Sequence, residues 1–243
     1  MPRWFSLIND VPLRKLWTTL GLLVVMSAWG TAFAATADEA RAALEKWLVS
    51  ASKVTSVQAK FDQLRQLKSV RKPLRREGQL WMEKPGGFRW QVGQGPDLLV
   101  QRGADGSLWV MDGKDKKARV WSKEALEAQE KDGKGQGFAM IQSMQAISLK
   151  EFEEQFKVRG GEQDANNADL WTFELGLKDN KAALFVIKVT LKGNIKEGSL
   201  HALTIHMRDG SSMTTAITEY RLNGAIPDSV FKVDTTGYEV EKE

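Results

Sequence analysis

The sequence predicts a mainly β fold with some α: one domain in which a large antiparallel sheet, apolar on one face, is covered by helical segments. Three observations predict it. Apolar and polar residues alternate over long stretches, as in Trp171, Phe173, Leu175 and Leu177 against Thr172, Glu174 and Gly176. Turn signals such as Lys84-Pro85-Gly86-Gly87 and Asp112-Gly113 separate successive runs too closely for the long crossovers that a parallel sheet needs. Helical spacing returns in two places, before the first strand and in the middle of the chain.

From the N-terminus, Arg14-Lys15 precede an apolar run from Leu16 to Trp29, and Ala32-Phe33-Ala34 and Ala35-Thr36-Ala37 follow it with small-x-small spacing. This order predicts a cleaved secretory signal over residues 1–37 and export of the remainder. About fourteen residues of helix would span only about 21 Å, short of a bilayer core. Asp38 then opens a helix whose stripe is Ala40, Ala43, Leu44, Trp47 and Leu48. Strands are expected over Gly78–Glu83, Phe88–Val92, Leu98–Arg102, Leu108–Met111 and Arg119–Ser122. Between Glu124 and Phe156 the spacing is helical again, entered through a glycine-rich hinge, Lys131–Gly137. That hinge lacks the Lys-Ser/Thr ending of a phosphate loop. Three more strands follow. One carries Trp171 to Leu177, the next puts Phe185, Ile187, Val189 and Leu191 on one face, and the third carries Leu203, Ile205 and Met207.

Composition excludes several kinds of chemistry. With no cysteine there is no disulfide framework, no thiol nucleophile, no cysteine-held metal and no lipidated N-terminal cysteine. Beyond residue 37 the chain carries 32 basic and 30 acidic residues, a balance that gives no reason to expect nucleic acid as a partner. His201 and His206 lie five apart on one strand and so point to opposite faces, where they cannot share a metal; both read as surface or strand-edge residues. No nucleophile elbow, metalloprotease pair or dinucleotide fingerprint is present. No catalytic residue, metal or cofactor is expected, so the functional reading falls on the apolar face of the sheet.

Val54 to Gln63, then Gly78-Gln79-Leu80-Trp81, Lys84-Pro85-Gly86-Gly87 and Phe88-Arg89-Trp90, and then Asp105 to Asp112 resemble the periplasmic outer-membrane lipoprotein carriers, the LolA-like family. The closing segments Phe231-Lys232-Val233 and Gly237 to Val240 fit the same pattern. The resemblance implies an incomplete antiparallel β-barrel, a half-barrel, with helices covering its concave face as a lid. It implies that 38–243 is one lipid-carrier domain, a monomer in the periplasm. The cargo would be an acylated lipoprotein, received from an inner-membrane release complex and passed to an outer-membrane acceptor. Leu80, Phe88 and Trp90 would then line the concave face, and Phe138, Met140 and Ile141 the lid; the alternative for Trp81, Phe88 and Trp90 is plain core with no ligand. Lys84 stands where the family has an arginine that latches the lid; a lysine there is a point charge without the planar fork. A LolA-like paralogue carrying another lipid, such as a glycolipid or a lipid-pathway intermediate, is the alternative. A lipid-sensing regulatory domain would need an extension beyond Val240, and a hydrolase would need an acid/base pair that no motif supplies.

Overall fold

The structure, a computed structural model, describes residues 35–131, 148–178 and 182–242. All of them belong to the compact unit Ala32–Glu243. Helix α1 (Ala37–Ser52) starts at Thr36, whose hydroxyl accepts from the backbone N–H of Glu39 while the Glu39 carboxylate accepts from that of Thr36. This reciprocal capping box satisfies two amide groups that the first turn leaves unpaired. Next come β1 (Ser56–Gln66), β2 (Leu74–Glu83), β3 (Gly87–Val92), β4 (Leu98–Arg102), β5 (Leu108–Asp112) and β6 (Lys117–Trp121). After them stand α2 (Lys123–Lys131) and α3 (Leu149–Gln155), the described parts of the mid-chain helical interval. The remaining strands are β7 (Phe156–Asp164), β8 (Asn167–Leu177), β9 (Val186–Asn194), β10 (Ser199–Met207), β11 (Ser212–Leu222) and β12 (Glu239–Lys242). A 3-10 turn at Ala182–Leu184 precedes β9 and another at Asp228–Phe231 follows β11.

Among the described residues the strands form one sheet in the order β12-β6-β5-β4-β3-β2-β1-β11-β10-β9-β8-β7. Two antiparallel meanders, β1 to β6 and β7 to β11, join where β1 pairs with β11. Only β12 pairs in parallel, with β6. The outermost strands β12 and β7 do not pair with each other, so the sheet stays open: an incomplete barrel, as the family resemblance implies. Strand twist alone curls a sheet of this width and gives it a concave face.

The concave face carries two apolar clusters. Ala40, Leu44, Trp47 and Leu48 of α1 pack with Leu149 and Phe152 of α3 onto Phe173, Leu175, Val189, Leu191 and Leu203. Arg41 fastens α1 to α3 through a two-pronged bond to Glu153 at 2.6 and 3.0 Å. The second cluster holds Ala59, Phe61, Leu80, Phe88 and Val92, with Trp90 against them. Phe61 and Trp90 stack at 4.3 Å, and the Phe61 ring lies over Gly78, its cross-strand partner, where any Cβ would collide with it. Gly78 is thus required by close approach. The outer face has its own cover. Ser56 and Gln58 donate to the carbonyls of Gly224 and Ala225, Arg89 donates to that of Val230, and Val233 and Tyr238 pack on Leu99, Met111 and Ala118.

The structure departs from the expected elements at three points. Phe156 belongs to β7 and not to the helical stripe, although it still stacks on Phe152 at 4.9 Å across the junction. The alternation from Phe185 to Leu191 breaks because a register shift between His206 and Met207 leaves Ile187 unpaired. Val189 and Leu191 are buried, but Val186 packs against the core while Phe185 and Ile187 are exposed. Finally, β10 lies between β9 and β11, so His201 and His206 are half-buried on an interior strand and not at an edge.

Candidate functional site

Between the C-terminal end of α1 and the centre of the concave face lies a cavity of about 360 Å³. Its apolar walls come from Trp47 and Val54, from Val57 and Ala59 on β1, from Leu80 and Met82 on β2, and from Leu200, Ile217 and Leu222. The register explains why these meet. Ala59 opposes both Leu80 and Tyr220, and Val57 opposes both Met82 and Leu222, so one row of alternate residues crosses three strands on one face. A shallower cleft of about 480 Å³ lies across the β2–β3 turn, but charged residues such as Arg102, Asp105 and Lys123 line it beside Pro85 and Phe231, whereas the walls of the first cavity are mostly apolar. The apolar cavity is therefore the candidate site.

The end of α1 bridges this cavity and is held on two sides. On one side Trp47 Nε1 donates to the carbonyl of Ser199 at 3.1 Å and Ser50 Oγ to that of Ile195 at 2.8 Å. Gly198, in the left-handed region at φ 72°, lets the β9–β10 turn come against the backbone of Ser50 and Ala51, where a Cβ would collide. On the other side Lys84 Nζ donates to the carbonyl oxygen of Ser52 at 2.7 Å. Helix C-termini leave carbonyls unpaired and carry partial negative charge, so an ammonium suits this position.

At the rim, Tyr220 donates to Glu197 Oε2 at 2.7 Å and Ser199 Oγ donates to the same oxygen at 3.2 Å. Its bond to Glu197 pushes the Tyr220 hydroxyl above the usual phenol pKa. His201 stands edge-on to Tyr220 with Nε2 3.3 Å from Ser199 Oγ, and burial lowers its pKa, opposed by Glu197. Serine, histidine and acid are all present, but the carboxylate holds the serine hydroxyl instead of orienting the imidazole. That is not the geometry of an acyl-transfer relay. Among the described residues no group of three His, Asp or Glu side chains is placed to hold a metal ion.

Of the residues expected from the sequence, Leu80 is 5% exposed and lines the cavity, and Lys84 lies at its edge. Phe88 and Trp90 share the concave face with Leu80, since Leu80 opposes Trp90 and Met82 opposes Phe88. Their rings pack into the Phe61 cluster and do not line this cavity. Phe138, Met140 and Ile141 lie outside the described residues, as does most of the expected hinge. Arg89 faces the outer side, where burial lowers its pKa and it donates to Gln101 and Val230, so it takes no part in the cavity. Tyr220, Glu197 and Ser199 could not be singled out from spacing, because they come from two strands and a turn that only the fold brings together.

A family model described as outer membrane lipoprotein carrier protein LolA matches residues 52–234. No curated protein sequence matches the chain. Similar solved structures include an uncharacterized conserved protein from Thermus thermophilus, 7% identical over 84% of this chain and 99% of that one, with a TM-score of 0.48. A LolA superfamily protein from Nitrosomonas europaea is 11% identical over 80% of this chain and 97% of its own, with a TM-score of 0.39. The lipoprotein LppX from Mycobacterium tuberculosis is 10% identical over 78% and 98%, with a TM-score of 0.41.

Proposed function

Because the chain belongs to the outer membrane lipoprotein carrier protein LolA family, we propose that it is a carrier that shelters acyl chains in the cavity beneath α1 and performs no reaction. The observation that carries this reading is an unfilled apolar space, walled by Leu80, Ala59, Ile217 and Leu222, under a helix end held by polar bonds. Hydrocarbon gains about 0.8 kcal/mol per buried methylene, so a site for it needs area and adaptable walls more than directed bonds. Lys84 acts as the latch that keeps the helix end down when the cavity is empty. Phe138, Met140 and Ile141 are assigned to the cover, and Phe88 and Trp90 to the wall behind Phe61 that would open to a larger ligand.

The cargo is an acylated lipoprotein, taken from an inner-membrane release complex and handed to an outer-membrane acceptor. Residues 1–37 hold the export signal that places the carrier in the periplasm, with cleavage between Ala34 and Asp38; cleavage before Thr36 retains the cap of α1. No helix among the described residues is long and apolar enough to cross a membrane. The alternative cargo, a glycolipid or lipid-pathway intermediate, is favoured by cavity size. A space of about 360 Å³ is near the low end of ligand sites, and at about 30 Å³ for each water-sized group it holds roughly a dozen methylenes. One acyl chain fits; the three chains of a triacylated anchor require the helix end to lift.

Fluorescent fatty-acid uptake by the Ala32–Glu243 unit tests the carrier reading, and the absence of uptake at micromolar protein would end it. Incubating the same protein with inner membranes that bear a lipoprotein-release transporter tests the cargo. Acylated lipoprotein in the supernatant supports the first cargo, whereas uptake of a single-chain lipid without any such release supports the second.

A further inference from the structure

The end of the sheet away from the cavity carries a surface that sheltering a lipid does not require. Three turns lie side by side there: the β1–β2 turn at 67–73, the β10–β11 turn at 208–211 and the residues leading into β9 at 183–185. Between Gln63 and Arg76 the chain has six cations, Arg65, Lys68, Arg71, Lys72, Arg75 and Arg76, and no carboxylate. Every residue from 68 to 77 is exposed. Of the six, only Arg75 forms an ion pair among the described residues, with Asp62 at 2.6 Å. Asp209 lies beside Lys68, but its carboxylate accepts from Ser211.

Large apolar side chains stand among these charges with nothing over them. Leu74 is 51% exposed, Leu184 67% and Phe185 72%, with Leu64 and Val70 exposed as well. The backbone beneath them is held in place. Gln66 Nε2 donates to the carbonyls of Leu67 and Val70, while Arg208 donates from its amide to Phe185 and from Nε to Ala183, both at 2.8 Å. These bonds fix the turns without using the exposed side chains.

We propose that this end of the sheet docks on an anionic lipid bilayer. Cations alone would suit any polyanion, but leucine, valine and phenylalanine interleaved with them suit an interface that has anionic headgroups above hydrocarbon. A single-stranded nucleic acid would use aromatic stacking faces, which leucine and valine do not supply. Nine residues of β9 separate these turns from the cavity rim, about 30 Å at strand rise. A docked molecule therefore keeps its cavity free for a partner. The surface stands independently of what the cavity holds.

The test is sedimentation of the Ala32–Glu243 unit, which contains every described element, with phosphatidylcholine vesicles with and without phosphatidylglycerol. Using this unit removes the apolar Leu16–Trp29 run from the assay. Binding is expected only with phosphatidylglycerol, and to vanish near 0.5 M salt, roughly where screening is complete within a few ångströms. At about fivefold per cation, the Lys68→Gln/Arg71→Gln/Lys72→Gln variant should bind about a hundredfold more weakly. Leu74→Ser/Phe185→Ser should bind about tenfold more weakly. Unaltered near-ultraviolet dichroism shows that each variant is folded. Equal binding to neutral vesicles, undiminished binding by either variant, or retention on heparin without vesicle binding would overturn the proposal. Ala59→Phe, which takes up about half of the cavity, should leave vesicle binding intact, so failure of the carrier reading and failure of this one give different results.

Discussion

Lys84 Nζ donates to the carbonyl oxygen of Ser52 at 2.7 Å, tying the β2–β3 turn to the last turn of α1 across the edge of the apolar cavity. The bond is exposed, so its loss costs little stability, about 1 kcal/mol or less. Its position matters more than its strength, because it holds the one side of the helix end that the β9–β10 turn does not. Lys84→Met should leave the thermal midpoint within a few degrees and increase the fluorescence of an apolar dye added to the empty protein. Lys84→Arg, which keeps a donor, should restore the low signal. A dye response in Lys84→Met equal to that of the parent removes the latch role.

Ala59 and Phe61 lie two apart on one face of β1, yet they predict opposite outcomes. Ala59 lines the cavity, so Ala59→Phe adds six carbons to open space, about half of its volume at roughly 30 Å³ each. Fatty-acid uptake should fall more than tenfold while the thermal midpoint holds or rises. Phe61 is core, stacked on Trp90, and Phe61→Ala should cost about 3–5 kcal/mol in a denaturant melt. Uptake by Ala59→Phe at the parental level would place the binding space elsewhere.

Much of the fold was legible in the sequence, because a sheet with one face in contact with a core writes its period directly into the residue order. That rule held for β8 and β10 and located β2 to β6, although in β4 to β6 Leu99, Met111 and Ala118 are buried on the outer face as well, beneath Val233 and Tyr238. It failed at Ile187, since a bulge changes the phase of a strand without changing its composition. It was silent on β11, whose concave-facing positions hold Thr215 and Tyr220 as well as Ile217. The site was partly legible. Leu80 and Lys84 belong to a local motif and can be read in one pass along the chain. The opposite wall, Leu200, Ile217, Tyr220 and Leu222, is assembled only when β11 returns to pair with β1, a contact more than 150 residues distant in sequence.

His206 gives the pH dependence a definite sign. Its Nε2 lies 3.2 Å from Thr190 Oγ1, and burial first, then Lys188, lowers its pKa, opposed by Glu174. A histidine depressed in the folded state contributes stability that is fully present above its unfolded pKa of about 6.5 and is lost as pH falls through the folded value. Thermal midpoints measured downward from pH 7.5 should therefore begin to fall near 6.5 in the parent and fall less steeply in His206→Gln. Parallel curves for the two proteins would show that this imidazole carries no such linkage.

Gly198 and Gly86 both sit in the left-handed region, at φ 72° and 90°, but only one of them is crowded. Nothing lies within 4 Å of a Cβ placed on Gly86, so Gly86→Ala should cost only the backbone strain, about 1–2 kcal/mol. A Cβ on Gly198 would meet the backbone of Ser50 and Ala51, which cannot rotate aside as a side chain can. Gly198→Ala should therefore add to the same strain a displacement of the α1 terminus, breaking the approach that lets Ser50 reach Ile195 and Trp47 reach Ser199. The expected result is a larger loss of stability than for Gly86→Ala, together with increased apolar-dye binding that Gly86→Ala does not show. Equal melting curves and equal dye binding for the two variants would mean that the β9–β10 turn does not hold the helix over the cavity.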